Sequence, residues 1–373
     1  MLRWTCLALM AAGCIHKGNV DESAKCEGAA IICTVAGTGD AGYNLQDAAP
    51  KDTKLDTPTA VAFARAGKLL INDSKNFLIR RLGEDEEDML NSVVGKRNNT
   101  YAQEGPALDS PLKTIVDMDV GNNGLLYLVE SKGQQVLAVD LSRAVPTLEV
   151  IAGQAGEVGY NDEDVPAEEG LFDTLTGVAV GDDGTVYVAD GATNLIRAVT
   201  TDGMLINVAG LGDDGLPHTT KTDVPDRFDS PQRMVFLDGI LYVADSGRHR
   251  IAAVDPETGE VWDHIGTADV AGYTGDGGAL SDALLDTPFG VARTPDGRLT
   301  VADSGNHAIR SELLSGRIET VVGRGPTGYA GDQDAAENAS LSFPTDVAYA
   351  PDGDLVIADT NNHVVRRVDE PNW

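Results

Sequence analysis

The sequence predicts an all-β protein made of four-stranded antiparallel sheets that repeat around an axis. Four short apolar segments, at 290–292, 299–303, 308–313 and 318–322, alternate with turns rich in Gly, Asp and Ser. The glycine that ends the fourth segment recurs at separations of 58, 58, 57, 56 and 57 residues, as Gly37, Gly95, Gly153, Gly210, Gly266 and Gly323. Such a period indicates radially arranged sheets, because one such sheet alone cannot bury both of its faces.

A second repeated position supports the same count. An acidic residue ends the second segment of each copy, as Asp73, Glu130, Asp190, Asp245, Asp303 and Asp359. The 373 residues could form two ordinary domains, but a regular repeat favours one closed ring.

Several motifs recur in the same order along the chain. They are AGYTGDGGA, TPFGVA, VADSGNHAIR, VADSGRHRI, IADTNNHVVRRV and TVAGTGDAGY. In these motifs the sequence resembles the NHL-repeat family, from about Ile31 to Trp373. The resemblance implies a six-bladed β-propeller of four-stranded antiparallel blades, and it places the propeller domain at residues 30–373.

The two ends of the chain are expected to complete one blade. Ile31–Gly37 matches the fourth-strand motif but comes before any other strand, whereas Val364–Val368 is a third strand without a fourth after it. We therefore predict that the N-terminal strand pairs with the last blade. This pairing would close the ring and remove two open sheet edges.

Residues 1–14, MLRWTCLALMAAGC, have the pattern of a bacterial export signal that ends at Cys14. Arg3 supplies positive charge, Trp4–Met10 an apolar segment, and Ala11–Gly13 the small residues before a cleavage site. The ending resembles a lipobox, in which the cysteine is lipidated, although Ala11 stands where Leu is usual. We predict lipidation at Cys14 and attachment to the cell envelope of a bacterium, at the outer membrane or surface. An ordinary cleaved signal is the alternative.

Residues 15–29 are polar and unpatterned, which is typical of a flexible tether. No later apolar run approaches the roughly 20 residues that span a bilayer, so the lipid would be the membrane contact. Cys26 and Cys33 remain after the signal, and in an exported protein they can oxidise. Whether they form a disulfide stays open, because Cys26 must fold back to reach the strand that contains Cys33.

Three blades depart from the repeated pattern. Blade one carries an acidic run, Glu84–Asp88, interpreted as a solvated loop because a calcium loop needs regularly spaced oxygens and a Gly turn. Blade two has Glu130–Gln135 in place of an Asp-x-Gly-Asn-His turn, and extra residues at Leu112–Val116. Blade four begins with a long loop, Leu211–Ser230. We predict that Leu112–Val116 and Leu211–Ser230 carry partner binding.

His249, His307 and His363 occupy equivalent places in successive blades. Residues repeated in this way more often satisfy the same turn in every blade than meet at one metal ion. We therefore assign no metal site to them.

The charge balance argues against nucleic acid as a partner. The chain has 28 Lys and Arg against 59 Asp and Glu, a formal charge of −31. Affinity for nucleic acid depends on Lys and Arg that displace counterions from phosphates. We therefore expect no nucleic-acid binding.

The first strand of each propeller blade lines the central channel, and its start lies where loops converge. The positions to inspect are those two residues after the repeated proline or its equivalent: Ala60, Asp117, Gly177, Arg233, Gly290 and Asp346. Asp117, Arg233 and Asp346 are the candidate ligand-binding residues, with Arg233 able to receive an anion through its planar guanidinium. The alternative, which we favour, is a structural cluster in which the two carboxylates neutralise Arg233.

These positions offer little for catalysis. None is a histidine, which argues against the zinc chemistry of the amidating lyases related to NHL propellers. Asp117 and Asp346 alone are too few for calcium, which takes six to eight oxygens. No nucleophile or zinc-protease motif is present. We assign no catalytic and no metal-binding residue and expect no cofactor, with calcium as the alternative.

Two functional hypotheses follow. The favoured one is a monomeric, membrane-anchored, extracytoplasmic propeller that binds a protein or carbohydrate ligand at its loop face, or serves as a scaffold. The alternative is a calcium-assisted hydrolase or lyase with a site at the central channel.

Overall fold

The computed structural model describes residues 30–44, 48–82, 89–161, 164–210, 228–324, 326–369 and 371. The predicted signal with Cys14, the tether, the acidic run of blade one and residues 211–227 of the long loop lie outside this part of the chain.

Six antiparallel sheets form the blades of a β-propeller, as predicted. Within each blade the four main strands pair with their neighbours in one order, from the inner strand outward. The strands of blades one to three are β2 (Pro58–Ala64), β3 (Lys68–Asp73), β4 (Leu78–Leu82), β5 (Leu90–Val94); β6 (Gly105–Pro106), β7 (Ile115–Val120), β8 (Leu126–Glu130), β9 (Gln135–Asp140), β10 (Thr147–Ala152); and β11 (Val165–Pro166), β12 (Leu175–Val180), β13 (Val186–Asp190), β14 (Leu195–Val199), β15 (Met204–Gly210).

Blades four to six repeat the arrangement. Their strands are β16 (Pro231–Leu237), β17 (Ile240–Asp245), β18 (Arg250–Val254), β19 (Val261–Ile265); β20 (Gly290–Arg293), β21 (Leu299–Asp303), β22 (Ala308–Glu312), β23 (Ile318–Val322); and β24 (Asp334–Ala335), β25 (Pro344–Tyr349), β26 (Leu355–Asp359), β27 (Val364–Val368), β1 (Ile31–Ala36). The helices in the described part of the chain are three-residue 3-10 turns at Pro50–Asp52, Arg65–Gly67, Ser74–Asn76, Ala167–Glu169, Ser246–Arg248, Leu280–Asp282, Ser304–Asn306, Ala336–Asn338 and Thr360–Asn362.

The blades bury their apolar faces against one another. The inner strands contact each other in the order β2, β7, β12, β16, β20, β25, and β25 contacts β2 again. Each hydrophobic cluster joins two neighbouring blades, as where Leu70 and Ile79 of blade one pack with Leu128 and Leu137 of blade two. The second strands are buried on both faces, which explains their nearly continuous Val, Ile, Leu and Ala content.

The N-terminal strand closes the ring, as predicted. β1 runs antiparallel to β27, with Ile32 opposite Val368 and Thr34 opposite Arg366. Ile32 is fully buried and packs in the cluster between blades five and six. Cys33 on the same strand is disulfide-bonded, and its partner lies outside the described residues.

The repeated histidines form structural hydrogen bonds, but each bond reaches the next blade rather than a turn of its own blade. His249, His307 and His363 all adopt a left-handed conformation with φ 55° after the second strand. Each Nδ1 accepts a hydrogen bond of 2.9–3.1 Å from the backbone N–H before the proline of the next blade. The pairs are His249 with Thr287, His307 with Phe343 and His363 with Thr57. The histidines therefore join consecutive blades.

We expect His307→Ala to lower the free energy of unfolding by about 1 kcal/mol, because the Phe343 N–H loses its acceptor. His307→Asn should be nearly neutral. Asn194 occupies the equivalent position in blade three, has φ 57°, and accepts a bond of 2.8 Å from the Ser230 N–H. Urea denaturation of both variants measures the difference. Equal losses for Ala and Asn would mean that the imidazole ring, rather than its acceptor, matters.

The prediction of a variable loop at Leu112–Val116 was wrong. Leu112 is fully buried in the core between blades one and two, and Ile115 is 1% exposed. Ile115 also starts the inner strand β7, where it pairs with Glu130 as Pro344 pairs with Asp359 in blade six. The extra residues therefore precede this strand and are held in place by an apolar anchor. They do not form a loop that could reach a partner.

Candidate functional site

The three candidate residues meet in the central channel. Asp117, Arg233 and Asp346 lie near the starts of the inner strands of blades two, four and six, and all three side chains line one cavity. They are 3%, 5% and 6% exposed. The sequence prediction that they converge is therefore confirmed, although they lie deeper than a site at the channel mouth would.

Arg233 uses its guanidinium to hold several blades together. Its Nε donates to Asp117 at 2.9 Å and lies 3.8 Å from Asp346. Its Nη1 donates to the Thr345 carbonyl at 2.8 Å. Its Nη2 donates to the carbonyls of Thr59 and Val116 at 2.7 and 2.6 Å. One side chain from blade four thus contacts blades one, two and six across the channel.

The two carboxylates are occupied in a similar way. Asp117 also accepts from the Val178 N–H of blade three at 2.9 Å, and Asp346 from the Val61 N–H of blade one at 2.8 Å. Burial raises the pKa of both aspartates, and the Arg233 guanidinium opposes that rise by stabilising the charged forms. These bonds use four of the five N–H groups of the Arg233 guanidinium, so an anion would find most of its donors already engaged. The geometry therefore agrees with a structural cluster, and ligand binding by these residues stays a prediction.

The cavity that this cluster lines has a volume of about 260 Å³ and extends along the inner strands. The cavity is lined by the later residues of the inner strands, including the polar pair Asp119 and Arg293. Half-buried Phe63 and Tyr349 supply apolar walls. Sequence reasoning missed this end because it examined only the strand starts. The sequence could have identified Asp119. It lies two residues after Asp117, and residues two apart on a strand share a face.

Each blade buries the acidic residue that ends its second strand. In five blades an arginine of the third strand lies near that acid, as Arg80 near Asp73 at 2.7 Å and Arg250 near Asp245 at 2.9 Å. The other three arginines are Arg197, Arg310 and Arg366. These ion pairs fix the loop that leads into each inner strand, because the same carboxylates accept backbone N–H groups from that loop.

Glu130 of blade two has no such arginine. Leu137 stands seven residues later, at the separation that Arg80 has from Asp73. Glu130 Oε1 accepts the Lys113 N–H, and the fully buried Oε2 forms no hydrogen bond of normal geometry in the described structure. The backbone N–H groups of Lys113 and Ala102 and the charge of Lys113 oppose the effect of burial on the pKa. Burial raises the pKa of Glu130 to about 7. Blade two therefore contains a buried carboxyl group that stays protonated to a higher pH than an exposed glutamate does.

Glu130→Gln should flatten the pH dependence of stability. Because the pKa of Glu130 rises from 4.5 to about 7 on folding, the folded protein binds more protons between these values. This residue's contribution to the free energy of unfolding therefore falls as pH rises from about 4.5 to 7. At pH 8 the variant should be more stable than the wild type by about 1–3 kcal/mol, and near pH 5 this advantage should vanish.

Denaturant titrations at several pH values measure this effect. Glu149→Gln is the matched control, since Glu149 lies on the same blade but is exposed. An unchanged pH profile for Glu130→Gln would contradict the assignment.

The loops that lead into five of the blades carry a tyrosine six or seven residues after the repeated glycine: Tyr43, Tyr101, Tyr160, Tyr273 and Tyr329. Four of these rings lie against a cation. Arg310 lies over Tyr273 at 5.5 Å and Arg366 over Tyr329 at 5.6 Å; Arg97 and Lys113 lie over Tyr43 and Tyr101. Tyr101, Tyr273 and Tyr329 remain 40%, 45% and 46% exposed.

Aspartates of the same loops form hydrogen bonds within the protein. Asp276 accepts from Arg310 at 2.7 Å and from the Thr320 N–H at 3.0 Å, and Asp332 accepts from Arg366 at 2.6 Å. Within the described residues no group of three or more His, Cys, Asp or Glu could hold a metal ion.

The repeat itself has a counterpart among known families. Residues 341–367, which cover most of blade six, match the family model of the NHL repeat. In these residues the chain is similar to the NHL repeat. This stretch includes all three features described above for the repeat: the buried Asp359, the bridging His363 and the buried Arg366.

Relatives and solved structures extend the NHL comparison. NHL repeat-containing protein 2 of Bos taurus is 25% identical over 293 residues, covering 69% of this chain and 39% of that protein. Teneurin-1 of Mus musculus is 25% identical over 408 residues, covering 96% of this chain and 14% of that protein. The chain thus spans well under half the length of either relative.

A crystal structure of an auxiliary nutrient binding protein from Bacteroides ovatus has a TM-score of 0.63 and 15% identity, covering 90% of this chain and 76% of that chain. At this identity the similarity concerns the fold. Among the described residues, none of the helices has the length and apolar character required to cross a membrane.

Proposed function

We propose that the whole chain is an NHL-repeat protein of the bacterial cell envelope, anchored by lipid at Cys14, whose loop face binds a protein or carbohydrate ligand. The observation that carries this proposal is the set of partly exposed tyrosines on the loops that lead into the blades. Aromatic rings supply large contact areas at little entropic cost, and they are enriched in binding surfaces.

The polar groups of the channel are mostly bonded to one another, which favours a binding function at the loop face over catalysis. The cluster of Asp117, Arg233 and Asp346 has most of its polar groups engaged in bonds between blades. In a calcium-assisted hydrolase or lyase, these carboxylates would have to bind the calcium ion. Because they are already hydrogen-bonded, we keep this enzyme as the second candidate. The B. ovatus structure carries the name of a nutrient binding protein, which agrees with a binding module.

The loop-face proposal is tested with a variant in which Tyr101, Tyr273 and Tyr329 are changed to Leu. Leucine keeps apolar bulk against the cations beneath these rings while it removes the aromatic face. On glycan arrays and in pull-downs from envelope extracts, the variant should lose the ligand that the wild type captures.

The control for this experiment is Trp262→Leu, which removes a 38% exposed aromatic ring from the outer strand of blade four. Retained binding by the tyrosine variant, or equal loss in the control, would contradict the loop-face assignment. Calcium bound stoichiometrically in the purified protein would instead favour the enzymatic candidate.

The anchoring proposal has its own test. Cys14→Ser should move the protein from the membrane fraction to the soluble fraction in a bacterial host, and the wild type should carry a diacylglyceryl group at Cys14. The disulfide at Cys33 supports export, because disulfides persist in oxidising compartments. Cleavage at another residue without lipid, detected by intact mass, would overturn the proposal.

A further inference from the structure

A group of cations lies on the loop face where blades one and two meet. We call it the basic patch, and it consists of Lys75, Lys96, Arg97, Lys113 and Lys132. All of them lie on loops and turns at the end of the blades where the second and fourth strands end and the inner strands begin. Lys113 is half-buried and the other four are exposed. The basic patch is therefore open to a ligand from solvent.

Two contacts join the part of the patch in blade one to the part in blade two. Arg97 Nη2 lies 3.5 Å from Oδ1 of Asn76, the residue after Lys75. Ser74, the residue before Lys75, donates its hydroxyl to the Ile115 carbonyl at 2.9 Å, at the start of β7. The turn that carries Lys75 therefore touches both the loop with Arg97 and the segment that leads into β7.

The remaining cations lie on that segment and on the turn beside it. Lys113 precedes the first residue of β7 by two positions. The Ser131 N–H, next to Lys132, donates to the carbonyl of Thr114, next to Lys113, at 2.9 Å. The loops that carry the basic patch are therefore continuous across the two blades.

The charges of the basic patch are not neutralised by ion pairs. Within the described residues no member of the patch forms one, although Asp and Glu outnumber Lys and Arg by 59 to 28. Corresponding cations of other blades are paired. Arg324 follows the repeated glycine before blade six, as Lys96 does before blade two, and lies 3.0 Å from Glu319. Arg248, on the turn after the second strand of blade four, lies 3.0 Å from Asp269. Blades one and two therefore present positive charge that an anionic ligand can use.

Aromatic rings and uncharged polar groups border the patch. Arg97 Cζ lies 3.7 Å from the centre of the Tyr43 ring, and Lys113 Nζ lies 4.5 Å from the centre of the Tyr101 ring. Residues 96–101, KRNNTY, are all exposed. The amide and hydroxyl groups among them can both donate and accept hydrogen bonds. This surface therefore offers a ligand cations, an exposed ring and groups that match hydroxyls.

We propose that the basic patch binds an acidic carbohydrate, a short oligosaccharide whose sugar units carry carboxylates. Charge-assisted hydrogen bonds join the ammonium and guanidinium groups to the carboxylates. The amides of the 96–101 loop pair with sugar hydroxyls, and the exposed Tyr101 ring packs against the C–H face of a sugar ring. An acidic peptide would use the cations but has neither the ring faces nor the hydroxyl groups. The inference rests on the proposed function, because it assigns a ligand class to the same loop face.

The net charge of the protein favours a short ligand. Charges separated by more than about 8–10 Å are largely screened at physiological salt. An oligosaccharide that lies along the patch therefore interacts mainly with these cations. A nucleic acid or an anionic membrane extends beyond the patch, and it meets the remaining surface of a chain whose formal charge is −31.

Isothermal titration calorimetry with matched sugars tests the proposal. The probes are hexamers of galacturonate, mannuronate and guluronate, each compared with its own methyl ester, which has the same sugar chain without the charge. EDTA in the buffer prevents calcium from bridging the sugar to the protein. The wild type should bind at least one of these uronates roughly tenfold or more tightly than its ester. Its affinity should fall as salt is raised from about 50 to about 300 mM, because salt screens exposed charges.

A triple variant locates the binding surface. Lys75→Gln, Lys96→Gln and Lys132→Gln, combined in one protein, remove exposed charges whose side chains form no hydrogen bond or ion pair in the described structure. The fold should therefore stay intact, which circular dichroism verifies. The variant should bind the preferred uronate roughly fivefold to a hundredfold more weakly and bind its methyl ester as the wild type does.

The matched control is a second triple variant, Arg65→Gln, Arg293→Gln and Arg317→Gln. It changes the net charge by the same amount, but these exposed arginines lie at the opposite end of the blades, where the first and third strands end. The control should keep the affinity of the wild type. Equal weakening in both triple variants would mean that the net charge of the protein decides, and it would overturn the proposal.

Three further results would contradict the assignment: no binding of any uronate at millimolar concentration, equal binding of the methyl ester, or equally tight binding of hexaglutamate, a thymidine hexanucleotide or phosphatidylglycerol vesicles. A wild type that captures a neutral glycan or a protein at its tyrosines, but no uronate, would contradict this inference alone. The proposed function fails separately, when the variant with three tyrosines changed to leucine retains its ligand.

Discussion

Arg233→Met should lower the free energy of unfolding by about 3–5 kcal/mol, the usual cost of removing one partner from a buried ion pair. The variant leaves Asp117 as a buried carboxylate without its cation, and it removes the guanidinium donor from three carbonyls of blades one, two and six. The Thr59 carbonyl keeps a bond of 2.8 Å from Thr345 Oγ1. Methionine fills much of the same volume, so the loss would measure the missing polar contacts rather than a cavity. Urea denaturation of the purified protein gives the value.

The matched control is Arg293→Met. It removes the same charge from another inner strand, at a side chain without a hydrogen bond or ion pair in the described structure, and should change stability by less than about 0.5 kcal/mol. Asp117→Asn in the Arg233→Met background should restore part of the loss, because it removes the uncompensated charge. If the Arg233 variant were as stable as the Arg293 variant, the cluster would not hold the blades together, and Arg233 would again be a candidate for anion binding.

Removal of β1 should abolish the folded ring. The strand contributes four buried apolar residues, Ile32, Cys33, Val35 and Ala36, to the core, and it supplies the fourth strand of blade six. Truncating a single large buried side chain costs about 2–5 kcal/mol, whereas a whole domain is stable by only about 5–15 kcal/mol. A chain that begins at Gly37 should therefore aggregate or unfold without a cooperative transition.

The appropriate comparison is a chain that begins at Ala30. Both truncated chains lack the partner of the Cys33 disulfide, so the difference between them isolates the strand. A synthetic peptide of residues 30–38 should restore a cooperative transition to the shorter chain, because it can pair with β27. Equal melting temperatures for the two chains would show that the ring closes without β1.

Much of the fold could be predicted because the same sequence pattern occurs in each blade, so each copy predicts the same four strands. The predicted segment at 299–303 coincides with β21, and the closing role of Ile31–Gly37 is confirmed to within one residue. Blade two misled the prediction because Leu112–Val116 was interpreted as an insertion that carries partner binding. In the structure Ile115 occupies that place, and a buried Leu112 holds the inserted residues in the core.

The site was predictable only in part. Inner-strand positions identified Asp117, Arg233 and Asp346, because a propeller directs equivalent residues to one channel. Their bonding could not be derived, since Arg233 binds carbonyls of residues more than 100 positions away, such as Thr59 and Val116. Backbone carbonyls leave no signature in a sequence. The cavity in the channel could not be predicted either, because its size depends on how far the inner strands extend beyond the Arg233 cluster.

The pairing of β1 with β27 also determines the order of events when the protein is made. Ile32 is synthesised long before its partner Val368, which lies more than 300 residues later. Earlier blades can form their own hydrogen bonds as they emerge, but blade six has to wait for the C-terminal strands before the ring can close. Contacts between residues so distant in sequence slow folding. Until the last strands appear, the nascent chain is an open arc with two unsatisfied ends, and its aggregation hazard is concentrated in that interval.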